Sequence, residues 1–243
     1  MAAEIDEHGF ILGIHSYCDR WCERCPFTSR CRVYAIEMTF AVDGPEGPLA
    51  AAAAELPEDR EEGPFAEALA EVDEEDLQDE EVQQEMLRRD AHELIAQVHP
   101  LSEAAKALAD LAAPLIEASG QRVEAGGGEA EAFRDPFEVL SFYRWFIMAK
   151  VHRALSGRER DPILDEDGQP FPSDADGSAK IAHITCAASL QAAQQLGTLD
   201  PALASQAAAF TQTAGRVLQL IDEAFPGHRT FLRPGFDDDP TPP

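Results

Sequence analysis

The sequence has no apolar run approaching the roughly 20 residues that a membrane span requires. It has no alternating apolar–polar stretch of useful length and no internal repeat, which argues against a sheet-based core or a solenoid. Basic residues are scarce: 19 Lys and Arg stand against 46 Asp and Glu, a formal net charge of −27. A field of that sign repels nucleic acid and anionic membranes and favours a protein partner with a basic surface. The first residues, Met1 to Glu7, are acidic where a secretory leader would be basic, so the expected compartment is the cytoplasm. At 243 residues the chain suggests one or two domains with a real core.

Cysteine is also rare, yet four of the five cysteines fall within the fourteen residues from Cys18 to Cys31. A disulfide scaffold would spread its cysteines along the chain. Clustering without a leader reads as metal ligation. The charge is uneven as well: Glu55 to Asp90 holds 16 acidic and 3 basic residues, the pattern of a solvated face or linker.

The composition divides the chain into a cysteine-rich segment at 1–41, a Pro/Gly/Ala/Glu-rich linker at 42–64, a helical region at 65–233 and a disordered tail at 234–243. Within the helical region, Val82, Met86, Leu94, Ile95 and Val98 recur at helical intervals up to Pro100. Leu101, Ala105, Leu108, Leu111 and Leu115 continue to Gly120. Asp135, Pro136 and Glu138 spell a helix start, and the helix from there to about Leu155 is apolar nearly all round up to Ala149, as in the middle of a bundle. An Ala-rich helix is expected over 178–196. Asp200-Pro201 opens a last amphipathic helix carrying Phe210, Ala214, Val217 and Ile221, which stops near Pro226-Gly227. The expected fold is all-α: an antiparallel bundle of four or five helices with an N-terminal cysteine-rich metal-binding segment.

That segment reads SYCDRWCERCPFTSRC, a C-x3-C-x2-C-x5-C pattern. In a short helix, Cys18, Cys22 and Cys25 would share one side. Pro26 would end the turn and Cys31 would close the set from the opposite side. Four soft thiolates suit an iron–sulfur cubane, 4Fe-4S. Zinc, the alternative, usually takes two short Cys pairs separated by a longer loop. Arg20, Arg24, Arg30 and Arg32 form a basic island against Asp19 and Glu23, expected to offset the charge of an anionic cluster and to depress the thiol pKa values. Trp21, Phe27 and Tyr34 stand by to shield the centre.

The run CERCPFTSRC resembles the C-x2-C-P-x4-C cluster motif of CRISPR-associated iron–sulfur exonucleases over about ten of the 243 residues. The resemblance implies a four-iron cluster on Cys22, Cys25 and Cys31, with Cys18 as the fourth ligand. It does not extend to nuclease activity, because those enzymes have a mixed α/β core for which this chain has no strand pattern. Cys18, Cys22 and Cys25 also fit the C-x3-C-x2-C spacing of radical-SAM enzymes. Arg24 stands where that family usually has an aromatic, and Cys31 supplies a fourth thiol, so that reading is rejected.

Other candidates have simpler explanations. Cys186, three residues after His183, reads as a buried free thiol in a small-residue helix. His92, His99 and His152 lack the Glu-x-x-His pairs of a di-iron bundle and read as surface or satisfied polar residues, Glu85 notwithstanding. The Asp-Gly steps at Asp165–Gly168 and Asp174–Gly177 lack an EF-hand ligand series, and Asp174 or Asp176 suits a helix cap. No Gly-rich phosphate loop, nucleophile elbow or triad is present, so no catalytic residue is assigned. Arg144 and Lys150 interrupt the most apolar helix and need a carboxylate, a ligand or solvent. Glu138, Asp174 and Asp176 are available partners; a bundle anion pocket with Tyr143 and Lys180 is the enzymatic alternative.

The leading expectation is therefore an iron–sulfur protein acting as a redox partner, sensor or accessory subunit. A zinc-stapled interaction module is the second reading, and an enzyme with an anion-binding pocket is the third.

Overall fold

A computed structural model describes residues 4–43, 80–128, 130–158 and 173–237. Among the described residues there are six α-helices and no strand: α1 Arg32–Asp43, α2 Glu80–Val98, α3 Pro100–Ala125, α4 Ala130–Gly157, α5 Asp174–Leu199 and α6 Ala204–Ala224. The chain divides into two compact units, Met1–Ala91 with Arg233–Pro243, and His92–Leu232. The linker expected at 42–64 lies outside the described residues except for the last two residues of α1, as does the Asp165–Gly168 step.

The second unit is the expected antiparallel bundle. Gly120 of α3 lies against Phe137 of α4, whereas Arg144, further along α4, reaches back to Ala109. Moving forward on one helix moves backward on the other. The last turns of α4 meet the first of α5, through Arg153 with Asp174 and Gly157 with Ala175. Along α5 and α6 the pairings run Gly197–Ala207, Cys186–Ala214 and His183–Asp222, again antiparallel, and α6 closes back on α3. The core comes from residues at helical spacing: Leu101, Leu108 and Leu115; Leu140, Ile147 and Val151; Ala182, Cys186 and Leu196; Phe210, Val217 and Ile221.

Four sequence expectations need correction here. The most apolar helix is not the most enclosed one: on α4, Phe142 and Trp145 are exposed, while α5 buries residues on two sides. Small side chains explain this, since they admit neighbouring backbones from both directions. At Gly197 a Cβ would come within 2.9 Å of the Ala207 side chain. The buried hydroxyls of Thr185 and Ser189 donate to carbonyls one turn back, at 2.9 Å each, so this face carries polar atoms without leaving them unsatisfied.

Helix α4 begins at Ala130 rather than at Pro136, which lies inside it. Proline there removes one backbone bond near the N-terminal end, and its buried ring fills the core instead. Helix α5 is capped by Ser173, whose hydroxyl accepts from the Asp176 N–H, and not by Asp174 or Asp176. Finally, Leu94, Ile95 and Val98 of α2, expected to face the core, are exposed; only Ala96 of this turn is fully enclosed.

The turn between α2 and α3 falls where Pro100 places it. His99 caps α3, its Nδ1 accepting from the Leu101 N–H at 3.1 Å. Only a ring nitrogen without a proton can accept. Burial, and then the charge of Arg158, hold the His99 pKa below 6.5; His92 lines the same crevice. A pKa depressed on folding adds stability above the unfolded value and loses it as pH falls through the folded one. Melting temperature should therefore drop between about pH 7.5 and 5.5. His99→Asn keeps a cap that does not titrate and should flatten the slope, leaving the share due to His183, whose pKa is also lowered. Equal slopes in the two proteins would show that the cap is not the sensor.

Candidate metal centre

The cysteine segment is built from turns. Ile5 and Ile11 pair in an isolated antiparallel bridge, and the Asp6 carboxylate accepts the N–H groups of His8 and Phe10 to close the loop between them. The Ile11 N–H then donates to the Arg30 carbonyl at 3.0 Å, tying this loop to the far end of the cysteine motif.

The three leading cysteines do not share one helix. Arg20 takes a left-handed conformation with φ of 63°, and the Asp19 side chain accepts the Trp21 N–H at 3.1 Å. Together they break the helix that the i,i+4 spacing invites. Two 3-10 turns follow instead, Cys22–Arg24 and Thr28–Arg30, separated by Pro26. Cys25 ends the first and Cys31 ends the second, immediately before α1.

The outcome for the sulfurs is nevertheless the expected gathering. Cys18, Cys22, Cys25 and Cys31 all line one pocket, together with Ile14, His15, Asp19, Arg20, Trp21, Thr28, Tyr34 and Phe236. All four are free and half-buried. Two backbone N–H groups point at sulfur, each two residues after its cysteine. Phe27 N–H donates to Cys25 Sγ at 3.4 Å, and Arg20 N–H is aimed at Cys18. Hydrogen bonds to ligand sulfurs are a standard lever on the potential of iron–sulfur centres.

Zinc, with Zn–S near 2.3 Å, and a cubane, with several irons between its ligands, both take four thiolates. Four cysteines lining one pocket supply that donor set.

The expected depression of the thiol pKa values is corrected. Cys18, Cys22 and Cys25 are all pushed up, in each case first by burial. Cys22 is raised further by Glu37 and by the other three cysteines. The arginine collar is mostly turned elsewhere. The Arg24 guanidinium stacks on the Trp21 ring at 3.9 Å, and Arg32 acts on Asp6; of the four, only Arg20 lines the pocket.

Composition gave no sign that the C-terminal residues take part. The stretch Arg233–Asp237, read as the edge of a disordered tail, folds onto the cysteine segment. Phe236 lines the pocket and meets Phe27 edge-to-face at 5.0 Å. Gly235, with φ of 77°, is so tightly placed that a Cβ would sit 3.0 Å from Ile11 and 3.1 Å from Ile14. Arg233 and Asp237 hold this turn shut with a 2.9 Å ion pair. The Gly at a left-handed turn and the Phe after it are visible in the sequence, but the loop they cover is remote in the chain.

The other candidates find separate local partners. Arg144 Nε donates to the Ala109 carbonyl at 2.9 Å and stacks on Trp145. Lys150 lies 5.3 Å from the Phe146 ring, Tyr143 is buried, and Lys180 donates to the Phe231 carbonyl. Asp174, suggested as a partner for Arg144 or Lys150, instead takes Arg153 through both oxygens. Arg144 and Lys180 thus serve two different interfaces rather than one anion pocket. His152 bonds Glu93 at 2.8 Å, the satisfied polar role expected of it. Cys186 is fully buried and its thiol is pushed up to about 12 by burial.

No family model, curated protein or solved structure matches this chain.

Proposed function

We propose that this protein holds an iron–sulfur cluster of the 4Fe-4S type on Cys18, Cys22, Cys25 and Cys31, and that it works as a redox partner, sensor or accessory subunit. One observation carries the reading: four free thiols, brought in by successive turns, line one pocket. The ligands are all cysteine and none is evidently missing, which favours electron transfer or sensing over substrate chemistry. When bound, the cluster supplies one-electron redox capacity. The protein's own residues position the sulfurs, direct the Phe27 and Arg20 N–H groups at them and limit water access with Trp21, Tyr34 and Phe236. The net charge of −27 favours a basic protein partner and disfavours nucleic acid. No helix among the described residues is long and apolar enough to cross a membrane. The thiols suit the reducing cytoplasm.

Anaerobic purification with iron, sulfide and zinc analysis tests the proposal. The expected protein is brown, holds about four irons and four sulfides per chain, and bleaches with dithionite. Colourless protein whose zinc is lost in Cys22→Ser would replace this reading by the zinc-stapled interaction module.

A further inference from the structure

The bundle contains a second group of ligand-type side chains, within the unit His92–Leu232 and apart from the cysteines in sequence. His183 lies on α5, Asp222 lies near the end of α6, and His228 lies on the 3-10 turn Pro226–Arg229 that follows. One ligand atom from each falls within 4.8 Å of the other two. His228 Nε2 is 3.3 Å from Asp222 Oδ1, and His183 Nε2 is 4.0 Å from the same oxygen.

The hydrogen bonds around the site aim its donor atoms. His228 is buried, and its Nδ1 sits 2.6 Å from the Phe225 carbonyl. A carbonyl can only accept, so Nδ1 carries a proton and Nε2 is the ring nitrogen turned to Asp222. Asp222 Oδ1 is buried and receives no hydrogen bond, so an oxygen without a donor faces a histidine nitrogen at 3.3 Å. A backbone carbonyl fixing Nδ1–H is also the usual support of a metal-ligating histidine.

The surroundings hold this arrangement in place. Arg229 takes the other oxygen of Asp222 at 2.6 Å, which leaves Oδ1 free to ligate from one side. The turn bearing His228 is held close to α5, since a Cβ on Gly227 would run into the Asp176 carboxylate. His183 and Asp222 are about one-third exposed, 30% and 34% by side chain, so solvent and ions can enter. Ligand bonds near 2.0–2.1 Å require donor atoms about 3.4 Å apart in a tetrahedral set. The observed 3.3 Å already fits, and 4.0 Å needs only a small rotation of the half-exposed His183.

We infer that His183, Asp222 and His228 form a binding site for a divalent first-row cation, zinc or ferrous iron, with at least one coordination position left for solvent or an anionic ligand. Two histidines with one carboxylate are the donor set both ions accept.

The test uses the full chain carrying Cys22→Ser and Cys25→Ser, so that the thiolate centre does not compete. Zinc alone, after chelator treatment, is titrated by calorimetry. One equivalent should bind, and His183→Ala and Asp222→Asn should each weaken it at least about tenfold with an unchanged helical circular dichroism spectrum. If Asp222→Asn fails to fold, His183→Ala decides, because its side chain is only partly enclosed. No zinc uptake, or equal uptake with and without His183, would overturn the site and leave Arg229, Asp222 and His228 as a structural ion-pair network.

Discussion

A chain ending at Leu232 is expected to lose its metal while its helical bundle melts almost as before. The residues removed by this truncation include one wall of the cysteine pocket, Phe236, and the Arg233–Asp237 pair that closes the turn. The Phe27–Phe236 contact contributes about 0.5–1.5 kcal/mol beyond simple burial. Losing Phe236 also opens the sulfurs to water and oxygen. Two point variants separate these effects. Phe236→Ala leaves the turn in place and should shorten the lifetime of the centre in air several-fold. Gly235→Val forces a left-handed residue, which costs about 1–2 kcal/mol, and drives its side chain into Ile11 and Ile14. It should mimic the truncation. Metal content after anaerobic purification and a calorimetric melt read both effects. Full metal content and wild-type air stability in the truncated chain would remove the C-terminal residues from the site.

The second large effect concerns the cysteines individually. Cys22→Ser should bring sulfide, and the iron held with it, close to zero, because it removes one of the four thiols that line the pocket. Cys186→Ser should leave the metal content unchanged, since that thiol is buried against the Ala214 carbonyl inside the bundle. Metal uptake should also release protons and weaken in acid, because the pocket holds Cys18, Cys22 and Cys25 protonated above their usual range when no ion is bound. Reconstitution across a pH series measures this directly. A flat profile, or a Cys22→Ser protein that keeps its full metal load, would rule out a thiolate-bound centre.

Much of this fold could be read from local signals. Pro100, Asp200-Pro201 and Pro226-Gly227 mark turns through chemistry internal to a few residues, and the structure keeps all three. The gathering of the four cysteines was legible from their spacing, but the backbone route was not. A single residue, Arg20, adopts a conformation that side-chain type does not advertise, and it converts one helix face into successive turns. The burial order of the helices follows side-chain size more than hydrophobicity. Helix α5 is enclosed by the smallness of its residues, which periodicity does not measure. The parts that escaped altogether are long-range. Phe236 reaching Phe27, and His183 meeting His228, depend on how distant segments return to one another, and neither partner carries a local mark of the other.

The position of Phe236 also sets an order of events during synthesis. Roughly 200 residues separate Cys31 from the aromatic ring that completes its pocket. At about 5–20 residues per second, the four thiols wait some 10–40 s, with the whole bundle translated in between, before that wall can exist. A chain not yet extended to Phe236 offers an open, oxidisable set of sulfurs, so any cofactor given to it earlier would lack the wall that retains it.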